Sequence, residues 1–174
     1  MSVRLKIQLF LLLFCCHAWA NADTRQLQVE LIVFEQSAPT TELFEQTETK
    51  IAPVKRHASV QPGTKTMNSN YSRLSRADSY RPFYYESWRV QVKSNQVSLP
   101  IHISSGAQNL EGWIKIQRGS LLHVVADLEY SPVHSDEFED LIYRIAEKRR
   151  VLLNEVHFLD HPYFGALVKV SPVE

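Results

Sequence analysis

The sequence predicts an α+β fold built mainly from one antiparallel β-sheet, with a short helix and a long polar insertion after the first strand. Apolar and polar residues alternate over several short segments, as they do in strands that have one buried face. Two of these segments, 110–118 and 121–130, flank Gly119-Ser120, which is typical of a hairpin turn. A polar stretch, 36–70, separates the first strand from the others.

The first 22 residues have the layout of a secretory signal peptide. Arg4 and Lys6 precede an apolar run of about ten residues, which is short of the ~20 residues needed to span a bilayer. Two small-x-small sites, 18–20 and 20–22, are alternative cleavage positions. We therefore expect a single domain over 23–174, with no stable membrane insertion once the leader is cleaved. An uncleaved N-terminal anchor is the alternative.

The composition of the mature chain excludes several classes of function. Both cysteines, Cys15 and Cys16, lie in the leader, so the mature chain has no thiol nucleophile, Cys-ligated zinc or disulfide. Loss of Arg4 and Lys6 reduces the 19 basic residues to 17, against 19 acidic ones, and the net charge becomes −2. This balance gives no reason to expect nucleic acid as a partner.

The first predicted strand covers 27–35 and is apolar on both faces. Alternate residues from Leu27 to Val33 are aliphatic, and Ile32 and Phe34 make the opposite face apolar as well. A strand with two apolar faces is expected at the centre of a sheet that is covered on both sides.

The stretch from Gln36 to about Asn70 is rich in Thr, Ser, Glu, Gln and Pro and has few large apolar residues. Such a composition predicts a flexible insertion. Residues 71–79 after it predict a short helix. Residues 84–92 and a brief segment around Ile101 and Ile103 predict the next strands.

Within the predicted hairpin, alternation assigns each residue to a face. Leu110, Gly112, Ile114 and Ile116 point inward on the first strand, whereas Trp113 points outward. The inward residues predicted for the second strand are Leu122, Val124, Ala126 and Leu128.

Residues 136–152 fit two structures. Apolar residues at helical spacing from Phe138 to Ala146, behind Asp136 and Glu139, would suit a helix. Tyr143, Ile145 and Val151 also nearly fit a strand. The residues alone leave both alternatives open.

The last 26 residues, 149–174, contain an Arg-Arg pair, then a Glu and a His, then a Leu-Asp-His-Pro run that ends in an aromatic residue and a glycine. These are Arg149, Arg150, Glu155, His157, Leu159, Asp160, His161, Pro162, Phe164 and Gly165. The block closely resembles the C-terminal hallmark of the CsiV-type peptidoglycan-binding proteins, small secreted proteins of Gram-negative envelopes. The resemblance follows the whole chain in order and is specific from about Leu110 onward.

This resemblance implies a fold and a function. It favours a strand over about 142–152, with a turn near Leu153-Asn154, a return strand over 155–159 and a closing strand over 164–170. It implies a non-catalytic periplasmic protein, without a cofactor, that binds peptidoglycan and supports cell-wall synthesis. The alternative is an envelope protein-interaction factor that regulates a wall synthase or its activator through the insertion and a sheet edge.

Aromatic and arginine side chains are the candidate peptidoglycan contacts. Trp113, and Trp88 on a neighbouring strand, could stack on the apolar faces of sugar rings. Arg149 and Arg150 offer guanidinium groups to the carboxylates of stem peptides. Because neighbouring residues of a strand point to opposite faces, at most one of the two arginines faces a given ligand. An ion pair with Glu155 or Asp160 is the structural alternative for the other.

His157, Asp160 and His161 complete the predicted set of binding residues. On a helix, two histidines four residues apart would share a face, as in zinc hydrolases. In a strand they lie about 13 Å apart, which is too far to share one ion. We therefore expect Asp160 to accept hydrogen bonds from backbone N–H groups and His161 to form a local hydrogen bond. A metal-dependent wall hydrolase that uses His157, His161 and Asp160 is the third functional hypothesis.

Overall fold

The computed structural model describes residues 23–37, 51–132 and 142–173. The predicted signal peptide, part of the insertion and the start of the ambiguous 136–152 stretch lie outside the described residues. In order, the elements are β1 Thr24–Gln36, β2 Gln61–Pro62, α1 Asn68–Arg76, β3 Tyr80–Lys93, β4 Gln96–Val97, β5 Ile101–Ser105, a short 3-10 helix Gly106–Gln108, β6 Leu110–Arg118, β7 Leu122–Tyr130, β8 Tyr143–Arg150, β9 Val156–His161 and β10 Phe164–Pro172. None of the helices in the described ranges has the length and apolar character that a bilayer crossing requires.

The strands form two antiparallel sheets, so the prediction of a single sheet is wrong. Sheet A has the order β2-β3-β1-β10-β9, and sheet B has the order β4-β6-β7-β8 with β5 also paired to β6. The prediction of a mainly antiparallel β protein with a short helix is confirmed. Two sheets form because each has an apolar inner face, and packing these two inner faces together buries both.

The core lies between the two sheets. Leu27, Val29, Leu31 and Val33 of β1 belong to the same buried cluster as the inward residues of β6 and β7. The predicted hairpin is confirmed, with Leu110, Ile114 and Ile116 buried and every β6 residue paired to β7 in an unbroken register. At Phe83, a bulge in β3 lets both Phe83 and Tyr84 pack against this core.

The outer face of β1, on the side away from the core, is also covered. Ile32 and Phe34 are buried there, which confirms the prediction of a central strand. The cover includes α1, whose Tyr71 ring stacks on Tyr85 of β3 at 5.7 Å. The predicted helix therefore exists but begins three residues earlier than expected. Residues 61–70 include β2 and the start of α1, so this part of the predicted insertion has regular structure.

Glu30 is fully buried on this outer face and binds the segment before α1. Its Oε2 accepts hydrogen bonds from the backbone N–H groups of Thr66 (2.6 Å) and Met67 (3.1 Å) and from the Tyr85 hydroxyl (3.0 Å). Its Oε1 accepts one from Thr66 Oγ1 at 2.5 Å. Burial by itself raises the pKa of Glu30, but the hydrogen bonds from Thr66, Tyr85 and Met67 outweigh burial and lower it.

The chain passes from sheet B to sheet A between β8 and β9. The prediction of a strand over about 142–152 is confirmed by β8, and the helix alternative is wrong for residues 142–152. The predicted return strand exists as β9, but it pairs with β10 in sheet A, whereas β8 pairs with β7 in sheet B. The crossing occurs at Leu153-Asn154, where Asn154 adopts a left-handed φ of 65°. Asn tolerates this conformation better than most residues.

Gly165 on the outer face of β10 leaves space for two aromatic rings. A Cβ atom there would lie 2.5 Å from Phe158 Cε2 and 2.7 Å from Phe34 Cζ. The rings of Phe34 and Phe158 stack at 5.9 Å over this glycine. The glycine of the C-terminal block therefore serves aromatic packing.

We expect Glu30→Gln to lower the free energy of unfolding by about 2–3 kcal/mol, because the neutral amide weakens charge-assisted bonds and turns an NH₂ group toward donors. Glu86→Gln is the matched control, because the ion pair of Glu86 with Lys65 (3.4 Å) is exposed to solvent. Its loss should cost about 0–1 kcal/mol. Urea unfolding followed by tryptophan fluorescence measures both, and equal losses would contradict the assignment.

The Glu30 carboxylate also predicts that the stability of the folded protein depends on pH in the acid range. Because the pKa of Glu30 is lower in the folded than in the unfolded chain, its stabilisation is present above the ordinary value of 4.5. It is lost as the pH falls from that value through the folded pKa. The difference in stability between the wild-type protein and Glu30→Gln should therefore shrink on acidification. A difference that stays constant from pH 7 to pH 3 would exclude this linkage.

Candidate functional site

The predicted site residues do not form one cluster. Trp113 and Arg150 lie on the outer face of sheet B, and Arg149, His157 and His161 point to the core side of the edge strands β8 and β9. Asp160 lies on the outer face of β9, and Trp88 packs against the core from β3. The arrangement confirms that Arg149 and Arg150 point to opposite faces of their strand.

The outer face of sheet B is set by the strand registers. Trp113 of β6 lies opposite Asp127 of β7, and Asp127 lies opposite Ala146 of β8. Paired residues in an antiparallel sheet point to the same face. We call this outer face the Trp113 surface; it also carries Lys115, His123, Arg144, Lys148 and Arg150.

Trp113 is partly exposed and has a cation on one side of its ring. Lys115 Nζ lies 4.0 Å from the ring centroid, close enough for a cation–π interaction. His102 of β5 lies opposite Trp113 and bonds to Glu111 through Nε2. The indole therefore sits among polar groups on a solvent-facing sheet.

Arg144 and Asp127 form a bidentate ion pair beside Trp113. Arg144 Nε lies 2.7 Å from Asp127 Oδ1, and Nη2 lies 2.8 Å from Oδ2. These bonds raise the pKa of Arg144 further above its ordinary value. The pair braces β8 against β7, and sequence reasoning missed it because the register of β8 was unknown.

Lys148 and Arg150 form the cationic end of the Trp113 surface. Both are exposed, and neither is within ion-pair distance of a carboxylate among the described residues. By the usual strand spacings, Arg150 lies about 10 Å across and about 13 Å along the sheet from Trp113. His123, opposite Arg150, has a buried Nδ1 atom without a hydrogen-bond partner in the part of the chain that the structure describes. The alternation of residues along β8 places Lys148 on this surface only when the pairing register of β8 with β7 is known.

The edge strands β8 and β9 enclose an aromatic cluster around His161. Tyr143 and Tyr163 stack at 4.3 Å, and the Tyr143 and His161 rings lie 5.4 Å apart. His161 Nδ1 accepts a hydrogen bond from the Tyr163 N–H at 3.3 Å, which confirms the predicted local bond. Burial lowers the pKa of His161, although the nearby Asp160 carboxylate acts in the opposite direction.

The other predicted residues make local contacts. His157 Nε2 accepts from the Leu152 N–H at 3.0 Å. Arg149 Nε donates to Glu147 Oε1 at 2.6 Å, and this pair takes the place of the predicted pairs with Glu155 or Asp160. In residues 23–37, 51–132 and 142–173, no three His, Cys, Asp or Glu side chains are close enough to hold a metal ion.

Two further expectations need correction. Asp160 Oδ1 accepts from the side-chain amide of Gln36 at 3.2 Å, whereas backbone N–H groups were the predicted donors. Trp88 was expected on a strand next to that of Trp113, but it packs against the core from the other sheet and stacks with Tyr84 at 6.5 Å. A binding role for these residues stays a prediction.

We expect His161→Phe to reduce the loss of stability between pH 8 and pH 5. The folded pKa of His161 lies below its ordinary value of 6.5, so the unfolded chain takes up the proton first and stability falls as the pH drops through that range. Thermal unfolding at several pH values measures the slope. A change in packing alone would offset the stability of the variant from that of the wild type by the same amount at every pH. Identical slopes of stability against pH would therefore contradict the prediction.

One comparison with known proteins identifies a family. The profile of the family described as "Peptidoglycan-binding protein, CsiV" matches residues 55–173, which is more than half of the 174-residue chain. The match covers β2 through β10 and every predicted site residue, and β1 lies before it. No curated protein sequence matches this chain significantly. The chain therefore belongs to the CsiV family of peptidoglycan-binding proteins.

Proposed function

We propose that this protein binds peptidoglycan through the Trp113 surface, as a non-catalytic periplasmic protein that supports cell-wall synthesis. The observation that carries the proposal is a partly exposed indole on a solvent-facing sheet whose far end carries two cations, Lys148 and Arg150, without ion pairs in the described part of the chain. The description of the family as peptidoglycan-binding supports both the ligand and a binding role. The signal-peptide pattern of residues 1–22 supports export.

The chemistry of the Trp113 surface suits the glycan strand of this polymer. The exposed side of an indole ring offers an apolar plane against which the C–H groups of a sugar ring can pack. The guanidinium of Arg150 offers several N–H donors to the hydroxyl and carbonyl oxygens of the glycan strand. Each contact is weak, so retention on an insoluble polymer would come from many repeated contacts.

A second candidate function is that of an envelope interaction factor for a wall synthase or its activator. It is favoured by exposed apolar side chains on β9 and on the turn before it: Leu152, Leu153, Val156 and Phe158. Because β9 is an edge strand of sheet A, its free edge could accept a strand of a partner. Val156→Lys should abolish a periplasmic crosslink but preserve wall retention if this function is separate.

We expect Trp113→Ala and Arg150→Ala each to weaken binding to insoluble sacculi about tenfold, equivalent to ~1.4 kcal/mol. The double variant should bind about a hundredfold more weakly if the two losses are additive. Co-sedimentation with purified sacculi over a range of protein concentrations measures the retained fraction, beside an unrelated periplasmic protein. Thermal unfolding checks that each variant is folded.

Arg149→Ala is the matched control, because Arg149 is the adjacent arginine on the opposite face of β8. It should sediment like the wild-type protein. Retention of the double variant at the wild-type level would exclude the Trp113 surface as the contact.

A further inference from the structure

A groove runs along the outer face of sheet A, between α1 and β10. It has a volume of about 470 Å³, and its lining includes Arg73, Leu74 and Arg76 of α1, Tyr80 of β3 and Leu167 of β10. None of the predicted site residues lines it. Family membership and sequence patterns did not indicate this groove.

The groove exists because α1 packs toward one side of the sheet. Tyr71 at the start of the helix stacks on Tyr85 of β3, and Met67 before it is buried. No residue of α1 itself is buried, and the helix packs mainly on β3. Leu167 is therefore left on the floor of an open channel.

The helix side of the groove is cationic. Arg73 and Arg76 lie within its last turn, and neither is within ion-pair distance of a carboxylate among residues 23–37, 51–132 and 142–173. Arg76 Nε donates to the Ser72 carbonyl at 3.1 Å, which orients the guanidinium and leaves its terminal nitrogens for other acceptors. None of the lining residues is acidic. The electrostatics therefore favour an anionic occupant.

The sheet side of the groove is apolar and aromatic. Tyr80 is 39% exposed and meets Phe34 edge to face at 5.3 Å. Phe158 is also 39% exposed, and it lies opposite Leu167 in the β9–β10 ladder. An occupant that matches both sides carries several carboxylates separated by short apolar groups.

We propose that this groove binds the stem peptides of peptidoglycan, whose carboxylates would meet Arg73 and Arg76 and whose methyl groups would lie on Tyr80 and Leu167. This inference rests on the proposed function and adds that the two parts of the polymer are recognised on different sheets. The Trp113 surface then contacts the glycan strand. Stem peptides are the part of the polymer that supplies free carboxylates, which is why charge assigns them to the groove.

The test uses the mature protein and two probes, a synthetic stem tetrapeptide with free carboxylates and glycan strands stripped of peptide. Arg73→Gln/Arg76→Gln should weaken tetrapeptide binding at least tenfold in calorimetric titration and leave co-sedimentation with stripped glycan unchanged. Trp113→Ala should weaken co-sedimentation with stripped glycan and leave tetrapeptide binding unchanged. Arg56→Gln, which replaces an exposed arginine outside the groove, is the matched control and should bind both probes normally.

Failure of the groove and failure of the proposed function give different results. If the wild-type protein sediments with intact sacculi but does not bind the tetrapeptide, or if the double arginine variant binds it normally, the groove assignment is overturned alone. If the wild-type protein binds neither sacculi nor tetrapeptide, both proposals are overturned. Tetrapeptide binding that is lost in Trp113→Ala would also overturn the separation into two surfaces.

Discussion

The buried carboxylate of Glu30 is the interaction on which the organisation of sheet A depends. It lies in the central strand β1, where both faces are covered, and a charge there is tolerated only if donors surround it. Those donors come from Thr66 and Met67 just before α1 and from the Tyr85 hydroxyl of β3. Gln28 adds a reciprocal pair of bonds to the backbone of Thr64, at 2.8 and 2.9 Å. The start of the helix is therefore held to the sheet by polar contacts.

This anchoring gives the two sheets different outer faces. The outer face of sheet A carries α1, which leaves a groove with Arg73 and Arg76 on one side and Leu167 on its floor. On the Trp113 surface, the partly exposed side chains of Trp113 and Lys115 and the exposed Lys148 and Arg150 remain accessible to solvent. Since the inner faces of both sheets are committed to the core, ligand contacts are expected on these outer faces.

Most of the polar residues in the C-terminal block that carries the family resemblance have structural roles in this chain. Arg149 pairs with Glu147, His157 accepts the backbone N–H group of Leu152 next to the crossing between the sheets, and His161 accepts that of Tyr163 at the turn between β9 and β10. Gly165 makes space for Phe158 and Phe34. Only Arg150 of this block points to the Trp113 surface. His157 is useful at the crossing because the chain changes sheets within a few residues and its backbone groups must find partners.

The sequence by itself determined where most of the strands lie and which side chains share a face of one strand, because period-two alternation and turn residues act over a few neighbours. It therefore located the hairpin of β6 and β7, the outward position of Trp113 and the opposite directions of Arg149 and Arg150. Only the tertiary structure decided that the strands form two sheets, that β9 pairs with β10 and that residues 64–67 surround Glu30. Those outcomes depend on pairing between distant segments, and alternation is the same whichever strand lies alongside. For the same reason, the placement of Lys148 on the Trp113 surface and of Arg73 beside Leu167 could not be inferred from local patterns.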